Sequence, residues 1–294
     1  MESHNMKIAV VGCHGLLGNA FVRFWQGSEI ETVPLDFPDS DITTRMMTLD
    51  LFREISPDVI INATGIMKMD WLEKHPNTAR TVHVQGAANL REAARRTNAF
   101  LVHFSCAEIF GDAGKEETVP FSEGDIPHPL SIYAKTKLDG ERAVLEYENH
   151  LILRTSALFG QTGKHTSGNM VESMLRALRR PEPLNIIDDI PTSPTWSDDL
   201  ARAADFLIRG HFHGIFHVVN TETATPYEIS QEILKLTGLK RDFRPIHAED
   251  FGFTAPRGHH TMLKMDKYVQ LENFPPMPSW QESLNRYLLS RAAF

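Results

Sequence analysis

The first twenty residues constrain this chain more than any other stretch. Lys7–Val11 (KIAVV) is a continuous apolar run rich in β-branched residues, the pattern of a strand buried on both faces. Gly12-Cys13-His14-Gly15-Leu16-Leu17-Gly18 follows at once. A helical pattern then places Ala20, Phe21, Phe24 and Trp25 on one side. A chain leaving a buried strand for a helix must turn tightly, bring backbone close to whatever binds there, and pack helix on strand. Glycine serves all three needs. The helix N-terminus adds free N–H groups and partial positive charge suited to phosphate, so Gly12, Gly15, Leu16, Leu17 and Gly18 are candidate pyrophosphate-binding residues. The competing reading is a tight turn with no ligand.

Strand and helix patterns continue to alternate. Thr32–Leu35 reads as a strand, Leu49–Ile55 as a helix, Asp58–Asn62 as a strand and Thr78–Thr97 as one long helix. Phe100–Phe104 is a strand, Tyr133–Glu148 a helix and His150–Arg154 a strand. This alternation predicts an α/β fold with a Rossmann-like doubly wound parallel sheet, whose ligands sit at the carboxyl ends of the strands. After about Ser156 the rhythm changes. Met170–Arg180, Asp198–Arg209, Tyr227–Thr237 and Gln281–Leu289 read as helices, Gly214–Val219 as a strand, Pro181–Pro194 as proline-broken, and the remainder as irregular. The expected division is an NAD(P)-binding domain over 6–155, with 196–220 returning to it. A smaller C-terminal substrate-binding domain takes 156–195 and 221–294.

Composition narrows the class of function. Of 294 residues, 41% are apolar, enough for a sizeable core. Lys and Arg number 30 against 38 Asp and Glu, a formal net charge of −8, which argues against nucleic-acid or anionic-membrane partners. No run approaches the ~18 apolar residues of a transmembrane helix. Met1–Asn5 lacks the apolar core of a signal peptide, and Met6-Lys7-Ile8 reads as a natural start. The two cysteines, Cys13 and Cys106, make no disulfide framework and suit a reducing cytoplasm. The histidines show no ligand spacing, so no metal is expected.

Asp36 closes the second predicted strand, where a carboxylate can accept hydrogen bonds from adenosine ribose hydroxyls and repel a 2′-phosphate. No Arg or Lys lies beside it, which favours NAD over NADP; the alternative is a solvated loop aspartate. Tyr133 and Lys137 stand four apart, on one helix face. A tyrosine titrates near pH ~10, and a neighbouring ammonium lowers that value toward the useful range.

With these features in place the chain resembles the extended short-chain dehydrogenase/reductases, and among them the dTDP-4-dehydrorhamnose reductase family. The similar stretches are KIAVVGCHGLLG (7–18), Asp41-Ile42, PDVIINAT (57–64), LVHFSCAEIFG (101–111), YAKTK (133–137), LRTSALFG (153–160), DIPTSPT (189–195), Asp199-Leu200-Ala201 and Arg257 to Leu263. The resemblance implies a reductase of a keto-sugar nucleotide that uses NAD or NADP. Asp41 and Ile42 would flank the adenine, and Ala63, Thr64 and Gly65 would lie along the cofactor. Tyr133 would protonate the carbonyl oxygen, and Lys137 would tune Tyr133 and hold the ribose. A small-molecule carbonyl substrate, a nucleotide-linked sugar, is the implied partner, and a homodimer is a common assembly of such proteins.

The chain departs from that pattern at several positions. Cys106 occupies the place of the carbonyl-orienting Ser or Thr, with Ser105 beside it as a substitute donor. Ala107 stands where related dehydratases carry an acid, although Glu108 is kept, which disfavours water elimination. Ile66-Met67-Lys68-Met69 and Ala157-Leu158-Phe159 replace segments usual in the rhamnose-pathway reductases, and His83 stands where many extended members have Asn. Asn169 and Arg257 are candidate substrate contacts. Two alternatives follow: an epimerase that retains NAD, or a non-catalytic, cofactor-binding regulatory subunit.

Overall fold

The computed structural model describes residues 5–111, 119–161, 163 and 169–292. β1 (Lys7–Val11) leads through the glycine turn into α1 (Leu16–Phe24), β2 (Glu31–Leu35), α2 (Arg45–Ile55) and β3 (Val59–Asn62). Two short helices, α3 (Met69–Glu73) and α4 (Pro76–Arg80), precede α5 (Gly86–Thr97), β4 (Phe100–Cys106), α6 (Ile132–Leu145) and β5 (His150–Thr155). Then come β6 (Leu158–Phe159), α7 (Met170–Leu178), β7 (Asn185–Ile187), β8 (Thr195–Trp196), α8 (Ser197–Arg209), β9 (Gly214–His217), α9 (Pro226–Thr237), β10 (Arg244–Ile246) and α10 (Trp280–Ala292).

The main sheet has six parallel strands in the order β2-β1-β3-β4-β5-β9. β1 pairs with β2 on one side and β3 on the other, so the chain reverses its direction of travel across the sheet there. The carboxyl ends of β1 and β3 therefore splay their following loops apart, and a crevice opens between them. Ile8, Ala9 and Val10 are fully buried because helices cover both faces. Leu17 and Phe21 of α1 pack with Leu200 and Leu207 of α8 on one face. Leu49, Phe52, Leu90 and Val144 pack on the other. A further cluster of Phe159, Val171, Trp196, Ile229 and Leu284 joins β6, α7, α9 and α10.

Three differences from the sequence reading have physical causes. The long helix expected over 78–97 is broken: α4 runs into a π-helical turn, Thr81–Gln85, before α5 begins. The wide turn carries His83 inward (4% exposed), and Gly86 follows it where a Cβ would lie 2.7 Å from the Ile42 side chain. β4 continues past Phe104 to Cys106, because β5 pairs with it along that whole length. The stretches read as proline-broken or irregular contain β7 and β10, which pair with each other across nearly sixty residues of sequence. Local periodicity carries no signal for such a pairing. Among the described residues no helix is long and apolar enough to cross a membrane.

One buried ion pair fixes α6 against the sheet. Arg154 of β5 donates from Nε (2.9 Å) and Nη2 (2.7 Å) to the two carboxylate oxygens of Glu141, with side chains 4% and 1% exposed. Removing one partner strands a charge in a low-dielectric interior. Glu141→Gln is therefore expected to lower the unfolding free energy by ~3–5 kcal/mol, read by urea denaturation. A loss below ~1 kcal/mol would mark the pair as solvated.

Candidate active site

The crevice is built on backbone contacts. Gly12 has a φ of +84°, and its N–H and that of Cys13 both donate to the Leu35 carbonyl, at 2.8 and 3.1 Å. A Cβ on Gly18 would lie 2.1 Å from the Gly12 carbonyl oxygen, and one on Gly12 would lie 3.0 Å from the Ala63 backbone. Side chains at these positions would push the two loops apart. α1 starts at Leu16, after Gly15 as N-cap, with no side-chain cap and no acid in its first turn, so its leading N–H groups remain suited to an anion.

Asp36 has partners within the protein itself. Its Oδ2 accepts the His14 backbone N–H at 2.6 Å and lies 3.6 Å from His14 Nδ1, so the carboxylate braces the glycine loop. Asp41 accepts from the Thr43 hydroxyl (2.7 Å) and backbone N–H (2.9 Å), and the Thr43 hydroxyl above all holds it below its usual range. Ile42 is buried, and Asn89 of α5 donates to its carbonyl at 2.8 Å.

The loop after β3, with Ala63, Thr64 and Gly65, is tied to α6 by a residue the sequence reading noted only as a departure. His83 Nε2 accepts the Ile66 N–H at 3.1 Å, and Nδ1 lies 2.8 Å from Thr136 Oγ1 on α6. An acceptor role at Nε2 assigns the proton to Nδ1, which donates to Thr136; the Thr136 hydroxyl in turn donates to the Ile132 carbonyl at 2.9 Å. Burial, and then the Lys137 charge, pushes His83 down to about 3, so the ring is neutral. Its plane stands edge-on to Tyr133, with ring centroids 5.6 Å apart. On the same loop, Asn62 Oδ1 accepts from the Thr64 hydroxyl at 2.6 Å, and Asn62 Nδ2 lies 2.9 Å from His103 Nδ1.

Tyr133 and Lys137 lie on one buried face of α6, each 6% exposed. Ser131 caps the helix by accepting the Ala134 N–H at 3.1 Å. Lys137 Nζ donates to the Phe104 carbonyl at 2.6 Å. Burial lowers its pKa, opposed by the Cys106, Glu141 and Glu108 groups. The expected ammonium-lowered phenol is not what the protein alone presents. Burial raises Tyr133 well above the ordinary tyrosine value, and Cys106 and Glu108 add to the rise. The phenol is thus protonated at neutral pH, a donor rather than a base.

β4 carries Cys106 to Tyr133 and leaves Ser105 out. Successive strand residues face opposite sides, so only one of the two can reach the phenol. Cys106 packs in the cluster with Tyr133 and Phe110. Tyr133, Cys106 and Glu108 are close enough to act on one another's protons. The Ser105 hydroxyl is buried with no hydrogen-bond partner among the described residues. Burial raises the Cys106 thiol well above its usual value, so it is not a thiolate nucleophile.

A cavity of about 470 Å³ opens beside this group, with Met69, Glu108, Met170, Ile187, Phe253 and Arg257 in its wall. Arg257 stacks over the Phe253 ring (4.4 Å), and contacts Met69 Sδ at 2.9 Å and Asp70 Oδ1 at 3.3 Å. Asn169 does not line that cavity. It caps α7, accepting the Glu172 N–H at 3.1 Å and donating to the Gly160 carbonyl. Ile187 and Phe253 escaped the sequence reading because ordinary apolar residues carry no motif, and Met69 entered it only as one of the replacements at 66–69.

A profile described as the RmlD substrate binding domain matches residues 6–292. The chain belongs to the RmlD family. A dTDP-4-dehydrorhamnose reductase of Aggregatibacter actinomycetemcomitans is 30% identical, covering 95% of this chain and 97% of that one. The solved dTDP-4-dehydrorhamnose reductase of Clostridium acetobutylicum superposes with a TM-score of 0.91 at 30% identity, covering 98% of this chain and all of that one (100%). That of Bacillus anthracis, in complex with NADP, superposes equally well (0.91) at 29% identity, covering 98% and 100%. The RmlD relatives thus run the full length of the fold. A UDP-glucose 4-epimerase of Thermus thermophilus (TM-score 0.82, 18% identity) shares the fold alone.

In this RmlD-family chain the neutral, buried His83 makes stability pH-dependent. Its folded pKa is lowered to about 3, so the unfolded chain binds the proton first as pH falls. Stability present above the unfolded value near pH ~6.5 is lost as acid is added. His217, also held at about 3 by burial, adds to the same slope. Denaturation between pH ~6.5 and ~5 should show this loss, and His83→Asn should reduce its slope.

Proposed function

We propose that this chain reduces the ketone of a nucleotide-linked keto sugar with NADH or NADPH. The observation that carries the reading is the placement of a buried, protonated tyrosine beside the crevice of the glycine loop and next to a roomy, mostly apolar cavity. The names of its relatives, dTDP-4-dehydrorhamnose reductases and a dTDP-4-keto-6-deoxy-D-glucose reductase, support the substrate class. The NADP complex of the B. anthracis relative supports the cofactor.

The residues present fit a nicotinamide dinucleotide: side-chain-free backbone at Gly12 and Gly18, and an uncapped α1 N-terminus. Gly12, Gly15, Leu16, Leu17 and Gly18 would receive the pyrophosphate, Asp36, Asp41 and Ile42 the adenosine end, and Ala63, Thr64 and Gly65 the remainder. Bound there, the reduced nicotinamide supplies the hydride. Tyr133 supplies the proton to the carbonyl oxygen. Lys137 holds positive charge behind it and stabilises the phenolate left when the proton departs. Cys106 orients the carbonyl in place of a hydroxyl, and its weaker S–H donor makes that grip looser. Arg257, in the cavity wall with its guanidinium half-buried, suits the substrate's diphosphate. Asn169 serves the fold of α7 instead.

We assign the cofactor half to 6–155 and 196–220, supported by β9 on β5 and α8 on α1, and the substrate half to 156–195 and 221–294. Both cysteines are buried, and we read the chain as working in the cytoplasm.

Tyr133→Phe should lower turnover of dTDP-4-keto-6-deoxy-D-glucose by ~100-fold or more, followed as loss of NAD(P)H absorbance, with cofactor affinity little changed. Full activity in that variant would remove Tyr133 from the chemistry. Asp36→Ala should weaken NADH and NADPH alike in calorimetric titration, because the glycine loop loses its brace. A gain for NADPH alone would show instead that Asp36 reads the ribose.

A further inference from the structure

Two parts of the cavity wall are set to accept hydrogen bonds rather than to give them. The first is Glu108, the only carboxylate among the described residues lining the cavity. It stands in a single 3₁₀ turn (Ala107–Phe110) whose other three residues are buried. Stacking of Phe110 on Phe121, with ring centroids 4.5 Å apart, fixes that turn. Gly258 is pressed against Gly111, which closes the turn; a Cβ on Gly258 would overlap the Gly111 carbonyl oxygen. The turn that bears Glu108 and the loop that bears Arg257 are therefore packed directly on each other. Arg257 is ion-paired with Asp70, at 3.3 Å.

The second part is a knot of three hydroxyls that spend their protons on one another. Ser156 donates to the Thr261 carbonyl, which can only accept, at 2.7 Å. The 2.9 Å contact between Ser156 and Thr192 must then take its proton from Thr192, and Thr261 donates to Thr192 at 2.8 Å. Thr192 and Thr261 line the cavity, and what they have left for a ligand is lone pairs. A ligand that meets Glu108 and this knot has to bring the donors. Free sugar hydroxyls are such donors; a methylene or an acylated oxygen is not.

Of these acceptors, Glu108 is the one next to the reacting end. Ala107, Ile109 and Phe110 of its turn pack in one cluster with Tyr133. We propose that the cavity selects keto sugars that keep a free hydroxyl on the carbon beside the ketone, with Glu108 as the specificity-determining residue that accepts that hydroxyl's hydrogen bond. The proposal rests on the reductase reading of the same site. An analogue without the hydroxyl sets a C–H group against the carboxylate, displacing water from it without replacing the bond, and is rejected for that reason.

The test compares two substrates on the full-length protein with NADPH: dTDP-4-keto-6-deoxy-D-glucose, and its 3-deoxy analogue, which lacks only the hydroxyl beside the ketone. The wild type should favour the first by ~10–100-fold in kcat/KM, the range of a hydrogen bond to a charged group. Glu108→Ala should bring the two substrates within a few-fold of each other, mainly by losing efficiency on the hydroxylated one. Glu108→Gln, which keeps one acceptor oxygen, should fall between. Because the ratio is taken within one variant, partial misfolding lowers both rates and leaves it unmoved. Equal use of both substrates by the wild type overturns the inference, as does full discrimination by Glu108→Ala. If the wild type reduces neither, the reductase reading fails. Calorimetric titration of the two sugar nucleotides then decides the inference by itself: tighter binding of the hydroxylated one that Glu108→Ala abolishes upholds it, and equal affinity overturns it.

Discussion

The close approach of three backbone segments at the end of β1 governs the rest of the molecule. The Gly12 carbonyl lies where a Gly18 side chain would be, and Gly12 itself lies against the Ala63 backbone. That contact lets α1 start directly on the sheet and lets β3 follow β1 on the side away from β2. The reversal of strand order opens the crevice, and the crevice decides where everything else has to be. Asp36 reinforces the contact by gripping the His14 backbone. A residue that reads as a candidate ribose acceptor in sequence also holds the glycine loop in shape.

Burial then sets the chemistry. Tyr133, Lys137, His83 and Cys106 are all nearly inaccessible, and in each case desolvation is the largest influence on the proton. The tyrosine and the thiol keep their protons, while the histidine rejects a second. Lys137 offsets part of its own desolvation through the Phe104 carbonyl and the field of Glu141, which Arg154 holds in place. The acid of the site is therefore fixed by the core behind it. An isolated Tyr–Lys pair on an exposed helix would not behave this way.

The substrate side follows a different logic. Its wall is largely apolar, with Arg257 as the lone Arg or Lys and Glu108 as the lone carboxylate among the described residues lining it. A cavity of this kind distinguishes ligands by shape and by few charges. Met69, which ends the segment replaced at 66–69, and the adjoining Asp70 hold Arg257 directly.

The sequence by itself determined the parallel sheet, the glycine turn and the Tyr133/Lys137 pair, because each is a local pattern: buried runs of β-branched residues, glycines at a strand end, and a spacing of four on a helix. It did not determine which of Ser105 and Cys106 meets the tyrosine. That depended on how far β4 continues along β5, and on the pleat. Nor did it show the π-helical turn that swings His83 under the β3 loop, the pairing of β7 with β10, or the commitment of Asn169 to a helix cap. The direction of the Tyr133 shift was also a tertiary matter, since spacing reports a neighbouring charge but says nothing of the solvent removed around it. Local sequence fixes which groups are near one another along the chain, and only packing between distant segments fixes what surrounds them.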